Sequence, residues 1–575
     1  MSRCLVGIAT LVIILLAGCA TPSATHPGEP APYTLILNLH KDVSIPDRPV
    51  VVFFCDGLSK QIFDAMLAAG ELPNIKRFLV ERGVSVDRAV VPQPTVTYPN
   101  TAAYLTGLYP GHTGVTGNVW FDPRSLIFRD YKYPETLEMV DDDIKAPTLF
   151  EMLDHESSTV VLCQTNRGAT HFYENYFIGG CEFALQMFHD LNISVSARLK
   201  NTAAAANQDR RWPDLVWLYY PATDLVGHAY GLNSPRYHQA IIDFDLEVGN
   251  VCLALDREGF LDRTLLVLIT DHGFVNTPRH ADITAMLKAN GLKVYDKRPD
   301  DNSEYYQQRY AKFNPYDVVA VVDADRFAKL CFHVPGRPWT HRPDINEIRT
   351  LFDDRARAHS GILTFVPRDP IAELLHVDGV QFIVHSDRGA PETRVEVFAA
   401  DGRAVITRHI DAEGHKSYAY QVTEGCDPFS YGQRQASATL CGGSFHSADE
   451  WLAATIDGKY PDLPVQFTEL FDSERAGDLC LFAKPGWDFL NTNLGGHGGI
   501  TSDETVVPFI FAGAGLPGGA TIPYARTVAL APTVFQFIRG QRDPVLFSRF
   551  DADSLLDILR AARQNSPSNA TPAIK

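Results

Sequence analysis

Six residues of this chain have the side chains to hold metal ions, and each follows an apolar run or sits among glycines. Asp56 follows VVVFF at 50–54 and a cysteine, and Asp224 comes after LVWLYY at 215–220, four positions ahead of His228. The pair Asp271-His272 closes LLVLI at 265–269, and His497 stands in Gly-Gly-His-Gly-Gly at 495–499. Singly these signals are weak, since Asp-Gly after a strand is an ordinary turn and glycines around a histidine also suit a plain loop. A spacing of four places Asp224 and His228 on one face of a helical turn, where both can chelate one ion. An Asp-His pair at the end of a buried strand is more specific, because buried polar groups need partners. Together the three aspartates and three histidines suffice for two adjacent divalent ions, and carboxylate and imidazole without thiolate favour zinc or manganese.

The stretch PTVTYPNTAAYLTGLYPGHTG at 94–114 raises a second chemistry. Pro99 suits the first turn of a helix running through Leu105, which puts Thr97 at its N-terminus. There the unpaired N–H groups and the helix dipole favour an anion such as a phosphoryl group. A threonine hydroxyl is a poor nucleophile at neutral pH unless a metal lowers its pKa. Thr97 is therefore either a metal-activated nucleophile or the cap of that helix. The stretch alone does not choose between them.

Positioning these residues falls to an alternation of strand and helix. The three apolar runs read as buried strands of a mainly parallel sheet, and Ile241, Val248, Cys252 and Leu255 mark one face of a helix over 234–255. That pattern is α/β, a sheet between helix layers, with ligands at the carboxyl ends of its strands. From about 281 to 477 the pattern turns irregular, with a hairpin signal in TRVEVFAADGRAVITRHI, and reads as an inserted α+β cap region. The divisions expected are 1–19 signal peptide, 20–47 tether and lead-in, 48–280 and 478–560 the two parts of the catalytic domain, and 561–575 a disordered tail. Aromatic residues of the insertion, among them Tyr305, Tyr306, Tyr310, Trp339 and Phe445, have the rings to stack on a base but in such numbers are more often core.

A formal charge of −18 with no Lys/Arg cluster argues against a nucleic-acid-binding surface. The first segment has Arg3, an apolar run over 5–16 and small residues before Cys19, the layout of a secretory signal. The apolar run is short of the roughly 20 residues that a membrane span needs. Setting aside Cys4 and Cys19, eight cysteines remain. Cys426 and Cys441 are the first pair expected in an oxidising compartment, and Cys55 a buried thiol.

The ordered motifs VVFFCDG, TVTYPNTAAYLTGLYPGHTGVTGN, YYPATDLVGHAYG, LITDHGF and GGHGGITSDETVVPFIFAG resemble the alkaline phosphatase superfamily, and within it the nucleotide pyrophosphatase/phosphodiesterase branch. The resemblance covers about 48–280 and 478–545. It implies an alkaline phosphatase-like sandwich with one zinc held by Asp224, His228 and His497, and a second held by Asp56, Asp271, His272 and the nucleophile Thr97. It also implies that Asn118 hydrogen-bonds a non-bridging phosphate oxygen, and that a small phosphate ester is hydrolysed through a phospho-threonine. Monoesterases of the superfamily often carry Lys-x-Arg after the next strand, where this chain has Thr165-Asn166-Arg167. With Arg167 as the remaining substrate-binding cation, the expected activity is phosphodiester hydrolysis. A phosphomonoesterase of the same fold and a binding lipoprotein without turnover are the alternatives. Leu16-Ala17-Gly18-Cys19 resembles a bacterial lipobox, which implies a lipid-anchored lipoprotein of the cell envelope, on the periplasmic face of the outer membrane.

Overall fold

The computed structural model describes residues 33–563 apart from 133–135, 137–138, 155, 164, 174–187, 298–304, 361–368, 388–391 and 491–492. The signal segment, the lipobox and residues 564–575 lie outside the described residues. The first part of the chain lays down β1 (Val50–Cys55), β2 (Gly83–Val90), β3 (Ser158–Val161), β4 (His171–Tyr173), β5 (Leu215–Tyr220) and β6 (Leu265–Ile269). The region after it builds β7 (Val294–Tyr295), β8 (Val318–Asp323), β9 (Phe327–Phe332), β10 (Val380–Asp387), β11 (Thr393–Ala399), β12 (Gly402–Ile410), β13 (Lys416–Gly425) and β14 (Leu479–Ala483). The chain then returns with β15 (Val506–Gly513) and β16 (Ala520–Arg526).

The central sheet has the order β16-β2-β15-β6-β1-β5-β3-β4. β1 lies parallel to both β5 and β6, with Val52 opposite Trp217 on one side and Val267 on the other. Only β15 runs antiparallel to its neighbours, β2 and β6. Every residue of β1, β5 and β6 is buried, as a parallel sheet covered on both faces requires, and this is why these strands read as unbroken apolar runs. Because the three strands are in register, Asp56, Pro221 and Thr270 all leave the sheet at one carboxyl edge. The helices of this part include α1 (Thr97–Thr106), α2 (Ala222–Tyr230) and α3 (Pro235–Arg257). Pro235 opens α3 and the Ser234 hydroxyl accepts from the Arg236 N–H, so the first turn is capped from the sequence itself.

The second sheet, β7-β14 in the order β7-β8-β9-β14-β10-β11-β12-β13, is antiparallel except for its β7-β8 edge. It corrects two sequence expectations. β14 pairs with β9 and β10, so residues 479–483 belong to this sheet and not to the returning part of the central one. Four of the five aromatics read as core are surface residues: Tyr305, Tyr306, Tyr310 and Phe445 are exposed, whereas Trp339 is buried against Phe121. The hairpin forms as expected, with the two-residue loop at Ala400-Asp401 and Gly402 already in the returning strand. Cys55 is a buried thiol, while Cys426 and Cys441 are not bridged to each other. Among the described residues no helix is long and apolar enough to cross a membrane.

An ionic clasp joins the two sheets' territories. His112 Nδ1 lies 2.5 Å from Asp551 Oδ2, and its Nε2 lies 2.8 Å from Asp472 Oδ2 and 3.3 Å from Glu469 Oε2. Arg408 of β12 and Lys416 of β13 complete it, bonding Asp472 and Glu469 at 2.7 Å. Three cations thus meet three carboxylates, so the charge of this His/Asp/Glu cluster is balanced without a metal ion. Burial alone lowers the pKa of the His112 imidazolium, but its hydrogen bonds to the Asp472 and Asp551 carboxylates outweigh it and raise the pKa to about 9. A raised folded pKa gives stability that is full below the unfolded value near 6.5 and lost as pH rises through about 9. The difference in urea stability between the wild type and His112→Gln is therefore expected to shrink by up to about 3 kcal/mol between pH 6.5 and 10. A difference independent of pH would contradict a charged clasp.

Candidate active site

Local structure brings all seven expected residues to one place. Asp56 follows β1 directly. The turn at Pro221 starts α2, so Asp224 and His228 project one helical turn apart, and Asp271-His272 follow Thr270 at the end of β6. His497 arrives on a loop whose Gly495-Gly496 pair with Val275-Asn276. Thr97 is the first residue of α1, and Val96 occupies the cap position without a side-chain hydrogen bond. The hydroxyl is thus not spent on capping; Thr97 Oγ1 lies 3.5 Å from His272 Nε2.

The ligand atoms converge in two groups, Asp224/His228/His497 and Asp56/Asp271/His272, each with its atoms within 4.8 Å of one another. His272 Nε2 stands 3.4 Å from Asp56 Oδ1, 3.3 Å from Asp271 Oδ2 and 3.9 Å from Asp224 Oδ1. His228 Nε2 and His497 Nε2 stand 3.4 and 3.6 Å from Asp224 Oδ1. Each imidazole has its Nδ1 against a carbonyl: Gly495 O at 3.0 Å for His228, Gly273 O at 3.0 Å for His272 and Thr95 O at 2.8 Å for His497. That partner fixes the tautomer with the proton on Nδ1, so the Nε2 lone pair faces the carboxylates. The aspartates are arranged in the same way. Tyr219 donates to Asp56 Oδ2, and the Gly57 and His272 N–H groups donate to Asp271 Oδ1. The opposite oxygens, Asp56 Oδ1 and Asp271 Oδ2, together with Asp224 Oδ1, are buried without a hydrogen-bond donor.

Lone pairs facing lone pairs in a buried cleft are the signature of a cation site. The titration behaviour agrees for every group but His228, where burial lowers the pKa but the charges of Asp224 and Asp325 outweigh it and raise it to about 9, so that this imidazole gives up a proton when it takes a cation. Burial, then the charges of Asp271 and Asp224, push the Asp56 carboxyl well above its usual range. Burial lifts Asp224 and Asp271 to about 6. Burial also lowers His272 to about 3 and His497 well below its ordinary value, which keeps both neutral as ligands must be.

Gly57 is needed where it stands. Its φ is +63°, and a Cβ there would come within 2.9 Å of both Cα and Cβ of Asp224. Gly57→Ala is expected to displace Asp224 and weaken metal binding at its group at least about tenfold, read by metal titration of the purified protein. Affinity within a factor of two of the wild type would show that the contact relaxes harmlessly. Phe274 fills the space behind the histidines, with ring centroids 4.9 Å from His228 and 5.6 Å from His497.

Asn118 accepts the Tyr98 N–H through Oδ1 at 2.9 Å, in the first turn of α1. This orients the amide, with Nδ2 as its donor group. Beneath it the buried Lys329 donates to Thr116 O at 3.0 Å and faces Asp323 at 3.7 Å, where a side chain on Gly117 would collide with both. Arg167 departs from expectation. Its guanidinium bonds the carbonyls of Asp141, Ile144 and Ala146 and both carboxylate oxygens of Glu151, so its donors hold the 141–151 segment and are not left for a phosphate. Sequence reasoning missed Asp325, from the turn between β8 and β9, whose Oδ2 lies 3.1 Å from His228 Nδ1. An acidic turn residue between two apolar strands carries no signal of such a role.

The family model for type I phosphodiesterase / nucleotide pyrophosphatase matches residues 50–333. This segment belongs to that family. The matched segment holds six of the seven converging residues, all but His497. Similar curated proteins are an uncharacterized pyrophosphatase/phosphodiesterase of Schizosaccharomyces pombe, 26% identical over 40% of this chain and 45% of its own, and an ectonucleotide pyrophosphatase/phosphodiesterase of Caenorhabditis elegans, 24% identical over 50% and 37%. A bis(5'-adenosyl)-triphosphatase of Mus musculus is 22% identical over 40% of this chain and 50% of its own. The chain thus spans half or less of these relatives' lengths. The solved structure of murine ectonucleotide pyrophosphatase/phosphodiesterase 5 covers 90% of this chain and all of its own at a TM-score of 0.50 and 14% identity, a likeness of fold.

Proposed function

We propose that this protein is a two-zinc phosphodiesterase that hydrolyses phosphate diesters through a covalent intermediate on Thr97. The observation that carries this reading is the set of three donorless carboxylate oxygens facing three Nε2 atoms, with the Thr97 hydroxyl beside them. Asp224, His228 and His497 would hold one ion, and Asp56, Asp271, His272 and Thr97 the other. Three carboxylates and an ionised Thr97 carry four negative charges, the number that two divalent cations neutralise. When bound, such ions act as Lewis acids that lower the pKa of a ligating hydroxyl and neutralise charge on a leaving oxygen.

The chain's own residues supply the rest. Thr97 Oγ1 attacks phosphorus in line, the bond to the leaving oxygen breaks, and water later releases the phosphoryl group from Thr97. At the N-terminus of α1 the Tyr98 N–H is taken by Asn118 Oδ1, Pro99 has none and the Asn100 N–H goes to Val96 O, so Asn118 Nδ2 is the donor offered to the equatorial oxygens, a contribution of about 3 kcal/mol in comparable sites. With Arg167 committed to carbonyls and Glu151, and Lys329 to Thr116, neither cation is left to grip the second charge of a monoester. A diester monoanion therefore fits better than a monoester dianion. A relative's name mentions a bis-adenosyl triphosphate, and a murine structure of this fold was solved in an inactive form with AMP; both are compatible with a nucleotide-bearing diester. The lipobox-like Cys19 supports anchoring to the periplasmic face of an outer membrane, with a small phosphate ester as the partner.

The test compares a bis-aryl phosphate diester with the matching aryl monoester. The diester is expected to show kcat/KM at least about tenfold higher, equal to about 1.4 kcal/mol of transition-state discrimination. Faster monoester hydrolysis would make the protein a phosphatase with a cation supplied from elsewhere.

A further inference from the structure

His228 differs from the other two histidines of the site. His272 and His497 rest their Nδ1 atoms on carbonyls, whereas His228 Nδ1 meets both Gly495 O at 3.0 Å and the carboxylate Oδ2 of Asp325 at 3.1 Å. Asp325 is almost fully buried, and the same Oδ2 accepts from Asn493 Nδ2 at 2.6 Å. We propose that Asp325 is a positioning residue through which the second sheet fixes His228 as a metal ligand. The inference rests on the metal-dependent reading of the site.

The backbone is built to bring it there. Ala324 and Asp325 both take left-handed conformations, with φ of 47° and 69°, which side chains other than Gly, Asn or Asp seldom adopt. A strained turn of this kind persists where surrounding contacts hold it. Those contacts all lead to the site. Asp325 forms a bridge with His497, the Arg326 N–H donates to His497 O at 3.2 Å, and the Phe489 N–H donates to Asp325 O at 2.7 Å. The Arg326 guanidinium bonds Glu504, which in turn accepts from the Gly499 N–H. Gly496 lets the turn come close, since a Cβ there would sit 3.1 Å from that of Asp325. One turn of the inserted region therefore orients two ligands of the same group, His228 through its carboxylate and His497 through its backbone. A carboxylate behind a ligating imidazole sets its tautomer and ring angle and strengthens its donor atom, and removing such a partner costs about 10–100-fold in metal affinity.

The experiment titrates chelator-stripped protein with Zn2+ against a chromophoric chelator for the wild type, Asp325→Asn and Asp325→Ala, with the urea stability of each stripped protein measured alongside. The wild type is expected to take up two ions. In Asp325→Ala one of them binds about 10–100-fold more weakly and the other stays within about twofold. Asp325→Asn, which keeps an oxygen acceptor for Nδ1–H, falls between, and it carries the test if the alanine variant does not fold. Equal weakening of both ions in step with lower stability would mean a merely structural residue and overturn the proposal, as would unchanged binding of both. A wild type that binds no zinc would overturn the two-metal reading and this proposal together, whereas two ions unaffected by either substitution would overturn this proposal alone.

Discussion

Thr97→Ala is expected to lower kcat for an aryl phosphate diester by about 10^4-fold or more while two metal ions per chain stay bound. The neighbouring hydroxyls cannot take over, because Thr95 Oγ1 donates to Gly499 O at 2.8 Å and Thr101 Oγ1 to Thr97 O at 2.8 Å. The other donors of both groups come from β1, β6, α2 and the His497 loop, none of which is built on the Thr97 side chain, so the metals have most of their ligands without it. Thr97→Ser keeps the hydroxyl and is expected to retain a measurable fraction of the rate. Turnover in the alanine variant within tenfold of the wild type would exclude Thr97 as nucleophile.

Prolonged exposure to a chelator is expected to suppress turnover by at least about 10^3-fold, with recovery on adding Zn2+. The same treatment should lower thermal stability, since ions that bind only the folded state stabilise it by about 2.7 kcal/mol at a free concentration of 100 times Kd. The stripped site leaves three buried carboxylates facing one another, with Asp56 forced furthest from its ordinary titration by burial and by its two acidic neighbours. Full activity after stripping would contradict a metal-dependent mechanism. Loss of activity without any change in melting temperature would show that the ions are not held by the buried groups.

Much of the site was legible in the sequence for a definite reason. Parallel strands buried on both faces are continuous apolar runs, and the polar residue that ends each run is held at the sheet's carboxyl edge, so Asp56, Asp224 and Asp271 announced themselves by position. Asp224 and His228 were further tied by helical spacing, and Thr97 by the proline two residues on. His497 was legible mainly through its glycines, which the structure explains by the close packing of Gly495 against Phe274. The second sheet was harder to read. Its strands mix polar and apolar residues, and the boundary placed at 478 put β14 with the catalytic domain, although it pairs with β9 and β10 of the second sheet, far away in sequence. Arg167 was read from its place after a strand, but what a guanidinium bonds depends on the fold of 141–151, which no local pattern encodes. Asp325 stayed invisible because its role comes from a tertiary meeting with a residue 97 positions earlier.

The covalent intermediate is tested most directly by acid-quenching the enzyme during turnover of a bis-aryl diester and locating the added mass by peptide mass spectrometry. An aryl-phosphoryl adduct on Thr97, absent from Thr97→Ala and from chelator-treated protein, is the expected result. Turnover at normal rate with no adduct at Thr97, and with inverted stereochemistry at phosphorus in a chiral thiophosphate diester, would mean direct attack by water and contradict the mechanism.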